Sequence, residues 1–513
     1  MMDKLKIYSL ALLLVACLSC SDFLDKHPDD AIPQNEALTT LKDCDDYVVG
    51  IYSAFKNSAL YSGALTILPD LQTDFVYPVN GYGNVYGDIY RWEIRATNGQ
   101  VSAVYQGLYL IVARCNFFMD CRSVVEATLK TDADRAAYDK RLGEVYFARA
   151  LAYSELIKMY CEAYDPQKAD KQLGISLCDT YENAVTTPRS SLKESYEQVI
   201  RDLDQAGKLI PKSRTAADNP YFSPGTVAAL KARVYLYMQD WDQAVTWSST
   251  VIDSMKVYKL ADAVYYKFQD DKGNQLTEYD VMWLYDEGDE IIWKISMNTT
   301  DRGGALGRIF LNFNGSTFNP DYVPAKWVLD LYEQKDGRYR SFFREVETGY
   351  SHGLTWPILK KYYGNPEIDG GPTPLFTNMP KVFRLGEQYL IRAEAYYHKS
   401  LTDGTMTAKA NADLTTLRRK RYAAYGGSGY SGDALRDEIR KERVRELYME
   451  GFRLADLRRY QEGFTRKPQL QTIDGPNKMK IEPENLLFTW PIPQHELDAG
   501  LGVILPNASN SVK

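Results

Sequence analysis

The segment Tyr77–Trp92 (YPVNGYGNVYGDIYRW) interleaves Tyr82, Tyr86, Tyr90 and Trp92 with Gly81, Gly83 and Gly87 and with Asn80, Asn84 and Asp88. A sugar ring offers patches of C–H bonds on its faces and hydroxyls around its rim. Binding one calls for flat, reachable aromatic faces beside a few amide, carboxylate or guanidinium groups. The glycines let the backbone turn sharply and leave the rings accessible. The whole chain shares this bias: 39 Tyr, 18 Phe and 8 Trp make 13% of it. Each buried tyrosine hydroxyl needs a partner, so core packing alone does not call for so many. Other chemistries are less well served. Asp70 and Asp74 would lie one turn apart on a helix, but glycoside hydrolysis needs carboxylates on opposite sides of a cleft, and among 68 acidic residues some pair can always be nominated. There is no Gly-x-Ser-x-Gly elbow, His-Glu-x-x-His or phosphate-cradling loop. The four histidines (His27, His352, His398, His495) are far apart, which argues against a His-rich metal hydrolase. The 61 basic and 68 acidic residues leave a net charge of −7, the wrong sign for releasing phosphate counterions from a nucleic acid. No cofactor and no metal is expected.

The elements that must carry these residues read as helices. With 513 residues the chain has room for two to four domains or one large α-helical array. Apolar residues recur at steps of three and four over Arg141–Tyr164, and Ser191–Ile210 opens on capping serines and stops at Pro211. Pro224–Met238 and Trp241–Met255 form a pair about a short turn at Gln239-Asp240. Val382–Lys399, Ala408–Tyr422 and Ser431–Tyr460 follow, the last interrupted at Gly451. Ala229–Ile252 is close to a tetratricopeptide unit, with Ala244 where two helices must approach closely, so a degenerate helical-repeat scaffold is expected. Between helices lie two long stretches rich in Gly, Asn, Asp, Tyr and Trp, about residues 65–100 and 257–322. Loops of that length are normally functional. A short strand is expected at Glu290–Met297.

The chain starts with two lysines in Met1–Lys6 and an apolar run over Ile7–Ser19, a secretory signal too short to span a bilayer. Both Cys17 and Cys20 sit in contexts like a lipoprotein box. Cys20, followed by Ser21-Asp22-Phe23-Leu24-Asp25, is the expected lipidation site, with Cys17 as the alternative that fits the spacing better. Stable membrane anchoring by several acyl chains follows. The remaining cysteines (Cys44, Cys115, Cys121, Cys161, Cys178) match neither a disulfide framework nor a metal site, and Cys115 and Cys161 read as small buried residues.

Six segments in order resemble the SusD/RagB family of outer-membrane nutrient-binding lipoproteins of Bacteroidetes. They are LPDLQTDFVY (Leu68–Tyr77); RLGEVYFARALAYSELIKMY; Val185–Pro211 with Pro188-Arg189-Ser190, Tyr196 and Asp202-Leu203; the Asp336-x-Arg338 element; the pair FRLGEQYLIRAEAYY and Glu438–Tyr460; and WPIPQHEL (Trp490–Leu497). Two departures concern subfamily placement: the ending LGVILPNASNSVK, and Thr415 where the family commonly has Asn. The run Glu442-Arg443, Glu446-Leu447, Glu450-Gly451-x-Arg453 and Asp456-Leu457-Arg458 reads as salt-bridged structural positions bracing the last helices rather than a catalytic or nucleic-acid surface.

The resemblance implies a mainly α, SusD-like fold with degenerate tetratricopeptide-type helix pairs and long loop-rich insertions with a few short strands. The implied organisation is a signal at 1–19, an N-terminal part at 20–256 and a C-terminal part at 257–513, in one compact unit. The C-terminal part has loops to about 380, helices over 381–460 and a terminal segment. It implies non-catalytic capture of an oligosaccharide, occasionally a peptide, at the outer membrane, and delivery to a SusC-like TonB-dependent transporter on which the protein sits as a lid. The family's glycan platform makes Tyr82, Tyr86 and Trp92 the first candidate contacts, with Asp74 and Asn80 beside them. A later loop would add Trp283, Tyr285, Phe313 and Phe318. Tyr82 and Tyr86 are expected to be exposed and Trp293 to be core. Trp92 is open between the two, as are Trp356 and Tyr362. A glycan-degrading enzyme and a pure tetratricopeptide scaffold are the competing readings, and the long aromatic loops count against the scaffold.

Overall fold

The structure is a computed structural model and describes residues 37–181, 187–347, 355–371, 373–467 and 479–512. The signal segment, Cys17, Cys20 with the residues after it, and Val185-Thr186 lie outside the described residues.

Helices carry the fold, and local sequence explains where most of them start and stop. Helix α1 (Leu41–Ala54) begins at a capping box in which Thr40 and Asp43 satisfy each other's backbone N–H groups, and α2 (Ala64–Leu71) follows it. Helix α3 (Gly99–Asp120) is capped by Asn98, and α4 (Asp132–Tyr160) by a second capping box, Thr131 with Asp134. Helix α5 (Leu192–Leu209) starts at the Ser191–Glu194 box and ends before Pro211. Helices α6 (Pro224–Tyr237) and α7 (Trp241–Ser249) form the expected hairpin about Gln239-Asp240, and the fully buried Ala244 lets α7 come close to its neighbours. Helices α8 (Leu385–Ser400), α9 (Met406–Arg419), α10 (Gly432–Leu447) and α11 (Arg453–Tyr460) complete the longer helices among the described residues, and several shorter ones lie between them. Neighbours pack as pairs: α3 on α4, α4 on α5, α6 on α7, α8 on α9, with α7 also against α8. Cys115 and Cys161 are buried, as their apolar context predicts.

The strands are short and come in antiparallel pairs. Strand β1 (Val76–Pro78) pairs with β3 (Tyr322–Pro324), in the register Val76 to Pro324 and Pro78 to Tyr322. Strand β2 (Ile291–Lys294) pairs with β4 (Lys381–Arg384). The strand expected at 290–297 is present. The helix expected from Val382 begins only at Leu385, because Lys381–Arg384 is drawn into pairing with β2. Trp293 lies 1% exposed against Phe55, Phe222 and Phe383, in the core as predicted. The break predicted at Gly451 falls between α10 and α11, where Met449 and Gly451 both have positive φ (59° and 83°).

The charged run of α10 and α11 is structural, and its reach is longer than helix bracing. The Glu446 carboxylate is fully buried and accepts from Arg338 Nη1 (2.7 Å), Arg421 Nε (3.0 Å), Arg421 Nη2 (2.8 Å) and Arg384 Nη1. Glu442 accepts from Arg338 (2.7 Å), Arg418 (2.9 Å) and Arg445 (2.9 Å). Glu450 bridges Arg384 and Lys361, and Glu290 meets Arg421 and Arg384. Three arginines from separate segments, Arg338, Arg384 and Arg421, are therefore gathered onto one helix. Burying charge is tolerable here because nearly every lone pair and N–H in the cluster has a partner.

Candidate functional site

The β1–β3 ribbon organises the aromatic loop. Immediately after β1, Val79 N–H continues the pairing to Asp321 O (3.0 Å), and the chain then turns outward through residues 80–86. Gly83 N–H is held by Asp321 Oδ1 (3.2 Å), and the Tyr322 hydroxyl donates to Val85 O (2.7 Å). The Tyr82 ring meets Tyr322 edge-on at 5.6 Å and packs with Trp356 on the small apolar cluster of Val79 and Val323. Tyr82 OH and Arg91 Nη1 both donate to Asn84 Oδ1 (2.9 and 2.7 Å). Tyr86 takes the left-handed conformation (φ 54°) at the start of the short helix Gly87–Tyr90. Tyr82 and Tyr86 are half-buried, and Asn80 is exposed. These contacts fix the loop backbone at both ends while leaving part of each ring in solvent. Burial raises the Tyr86 phenol and the Asp321 carboxyl above their ordinary values, so the phenol stays a neutral donor at physiological pH.

The same short strand tethers the second loop. Asp321 N–H donates to Ile309 O (2.8 Å), closing a hairpin in which Phe313 bridges Phe318 at a ring separation of 4.9 Å. Its tip is an Asx-type turn: Asn314 Oδ1 accepts from Ser316 and Thr317 N–H (3.0 and 2.9 Å), with Gly315 at φ 95°. Phe313 and Phe318 are half-buried, and Phe318 also approaches Tyr363 (6.3 Å). Asp321-Tyr322 thus joins the loop carrying Tyr82 and Tyr86 to the hairpin carrying Phe313 and Phe318.

Three of the sequence candidates are not part of this surface. Trp92 is 6% exposed: its ring packs on Phe488 (4.9 Å) and Phe464 (5.8 Å), and its Nε1–H donates to Gln72 O (2.6 Å). Trp283 is 3% exposed and roofs the ionic cluster, with Lys361 Nζ at 3.9 Å and Lys381 Nζ at 4.7 Å from its ring centroid. A desolvated ammonium on a tryptophan face is a strong cation–π pairing, and it leaves that face to no ligand. Asp74 is 8% exposed and paired with Arg453 through both oxygens (3.2 Å each). Tyr285 is half-buried, and its carbonyl accepts from Asn365 (2.8 Å). Of the residues left undecided by sequence, Tyr362 is buried with its hydroxyl on Met449 O (2.8 Å). Trp356 joins Tyr82, donating through Nε1 to Pro324 O (3.0 Å).

Asp321 and Tyr322 were missed. Asp321-Tyr322 follows Asn319-Pro320 directly, a turn signal before a strand. That signal places a strand start at Tyr322 but not its partner Pro78 in β1, 244 residues earlier (322 − 78).

The carboxylate pair Asp70 and Asp74 does not form a hydrolytic couple. Burial pushes Asp70 up to about 7, a value suited to a general acid. However, it is fully buried and both oxygens are taken by backbone N–H groups, Arg453 (2.8 Å) and Gly451 (3.0 Å). It therefore caps the turn into α11. Among the described residues no group of three or more His, Cys, Asp or Glu side chains is placed to hold a metal ion, and no helix is long and apolar enough to cross a membrane.

Residues 22–236 match the family described as "Starch-binding associating with outer membrane", and residues 344–504 match the SusD family. SusD-like protein P25 of Formosa agariphila is 22% identical over 552 residues, spanning 97% of each chain. The fold superposes on a SusD superfamily protein of Bacteroides thetaiotaomicron with a TM-score of 0.77 at 22% identity, covering 91% of this chain and 99% of that one. A SusD-like carbohydrate binding protein of Bacteroides vulgatus gives 0.71 at 20% identity, covering 91% and 97%. With two family matches in order along its length and the same mainly α architecture from end to end, this chain belongs to the SusD/RagB family.

Proposed function

We propose that the protein is a non-catalytic, lipid-anchored glycan-binding protein of the outer-membrane surface, which captures an oligosaccharide and hands it to a partner SusC-like TonB-dependent transporter as its lid. The observation that carries the binding part is the anchored pair Tyr82 and Tyr86. These are aromatic faces kept partly in solvent on a loop whose backbone is fixed by Asp321 and Tyr322. A preorganised platform loses little entropy when a sugar settles on it, which is where a shallow site gains affinity. Phe313 and Phe318 extend the apolar surface, and Asn80 and the Asn84–Arg91 pair offer polar groups at its rim. The carboxylates Asp70 and Asp74 are committed to Gly451 and Arg453, which supports binding without hydrolysis. Family membership supports the membrane location and the transporter partner.

The test is binding of the soluble fragment that starts after Cys20 to an array of plant, host and microbial polysaccharides, with released reducing sugar assayed in the same wells. Binding without release is expected. The double variant Tyr82→Ala with Tyr86→Ala is expected to weaken that binding by about 1–3 kcal/mol, as loss of aromatic anchors does, with little change in melting temperature. Sugar release would overturn the reading in favour of an enzyme, and a collapse of melting temperature would show that the two rings are structural.

A further inference from the structure

Helix α9 turns one face to a groove of about 730 Å3 that the glycine-rich loop before α10 closes on its other side. Thr407, Asn411 and Thr415 stand one above another at steps of four along the helix, and Ser428 and Tyr430 face them from the loop. The loop is rigidly set. Asn411 acts as a strand would towards Tyr430, donating to its carbonyl (2.8 Å) and accepting from its N–H (2.9 Å), and Thr415 Oγ1 accepts from Ser428 N–H (2.9 Å). These bonds set both walls of the groove in the free protein, as a shallow depression open to solvent.

Its charge is one-sided. Arg419 lines the groove, is exposed, and has no ion-pair partner among the described residues. Its neighbour Arg418 is buried and bound to Glu442 (2.9 Å) and Glu438. No acidic side chain lines the groove. The nearest in sequence are already engaged: Asp413, on α9 itself, accepts from Arg392 (2.9 and 2.7 Å), Asp403 from Thr405 (2.7 Å) and Asp433 from Arg436 (2.8 Å). A lone guanidinium at the end of a row of hydroxyls, with one half-buried tyrosine ring, matches an anionic group carried on a polyhydroxylated ring.

We infer that this groove is a second sugar-binding site that takes an acidic sugar unit, its carboxylate or sulfate ester on Arg419 and its hydroxyls on Thr415, Ser428 and the α9 face. The inference rests on the glycan-binding reading for the class of its ligand, but on different residues. The two acid chemistries are separated by the probes: oligogalacturonate for the carboxylate, a chondroitin sulfate oligosaccharide for the sulfate ester, a neutral oligosaccharide and inorganic sulfate as controls. Calorimetric titration of the soluble fragment is expected to show one acidic oligosaccharide binding at least tenfold more tightly than the neutral one. Arg419→Gln is expected to remove at least tenfold of that affinity, and Arg419→Lys to restore part of it. The Tyr82→Ala, Tyr86→Ala variant should retain it. Persistence in the tyrosine variant with loss in Arg419→Gln supports the groove even if the loop reading falls. Loss in the tyrosine variant with no effect of Arg419→Gln overturns the groove and leaves the loop reading standing. Failure of every acidic probe to bind, or binding of inorganic sulfate as tight as that of the sugar, also overturns it.

Discussion

Replacing Glu446 by Gln keeps the shape of the side chain, removes its charge and turns one acceptor oxygen into a donor. In the folded protein each carboxylate oxygen accepts from two guanidinium groups: Oε2 from Arg338 and Arg421 Nε, Oε1 from Arg384 and Arg421 Nη2. An amide leaves one of these positions an NH2 group, which points donors at donors, so two charge-assisted bonds are lost at about 1.5–3 kcal/mol each. The sum, about 3–6 kcal/mol, overlaps the 3–5 kcal/mol typical of breaking a buried ion pair. We expect about 4 kcal/mol, a large part of the 5–15 kcal/mol that holds a typical protein folded. Urea unfolding followed by tryptophan fluorescence measures it, since Trp283 lies directly over Lys361 in the same cluster. The urea midpoint should fall with little change in slope. The exposed pair Lys42–Asp46 is the control: Lys42→Ala should leave the midpoint where it is. A loss below about 1 kcal/mol for Glu446→Gln would refute the argument, showing that the remaining carboxylates Glu290, Glu442 and Glu450 already neutralise the three arginines.

Other expectations follow from burial and backbone geometry. Trp92→Ala should cost about 3–5 kcal/mol of stability as a core truncation. A stable Trp92→Ala variant with weakened glycan affinity would return Trp92 to the ligand surface. Arginines hold Glu442 and Glu394 at about 2 against the effect of their burial. Their folded-state values lie below the unfolded value near 4.3, so the stability they contribute is present above that pH and is lost as pH falls towards 2. Melting temperature should drop across that window, and a flat profile between pH 5 and 3 would count against the pairing. Gly451→Ala places a Cβ 3.0 Å from the carbonyls of Leu65 and Thr66 at a φ of 83°, and thermal unfolding should show a loss of about 1–3 kcal/mol; no loss would mean the turn can relax.

How far sequence carries depends on the range of the interactions involved. Helix α5 was legible because its limits are local: a serine–glutamate box opens it and a proline follows its end. The turn between α6 and α7, and the break at Gly451, were legible for the same reason. Strand β4 hid inside an apparent helix because its partner lies about ninety residues earlier, in β2. The aromatic residues divide along the same line. Composition shows that the chain carries more rings than a core requires, but whether a given ring is exposed is decided by distant residues. Trp92 is covered by Phe464 and Phe488, and Trp283 by Lys361 and Lys381. Tyr82 and Tyr86 escape full burial because the glycine-rich loop runs outward from β1. The charged run in α10 read correctly as structural, yet the distant arginines it would gather could not be named without the fold.

The gathering of those arginines also sets an order of events in time. Arg338 precedes Glu446 by 108 residues, Arg384 by 62 and Arg421 by 25, so a chain emerging N-terminus first displays all three guanidinium groups before their shared carboxylate exists. Asp336 and Glu290 are made earlier and can meet part of that charge, but until α10 brings Glu442 and Glu446 the three arginines cannot all be dehydrated with their bonds satisfied. Helix hairpins such as α6–α7 have local contacts and can form early, whereas the contacts that converge on Glu446 are long-range and come later. A fragment that stops short of Glu446 would be left permanently at the earlier stage, with the segments that bear the arginines available to any protease.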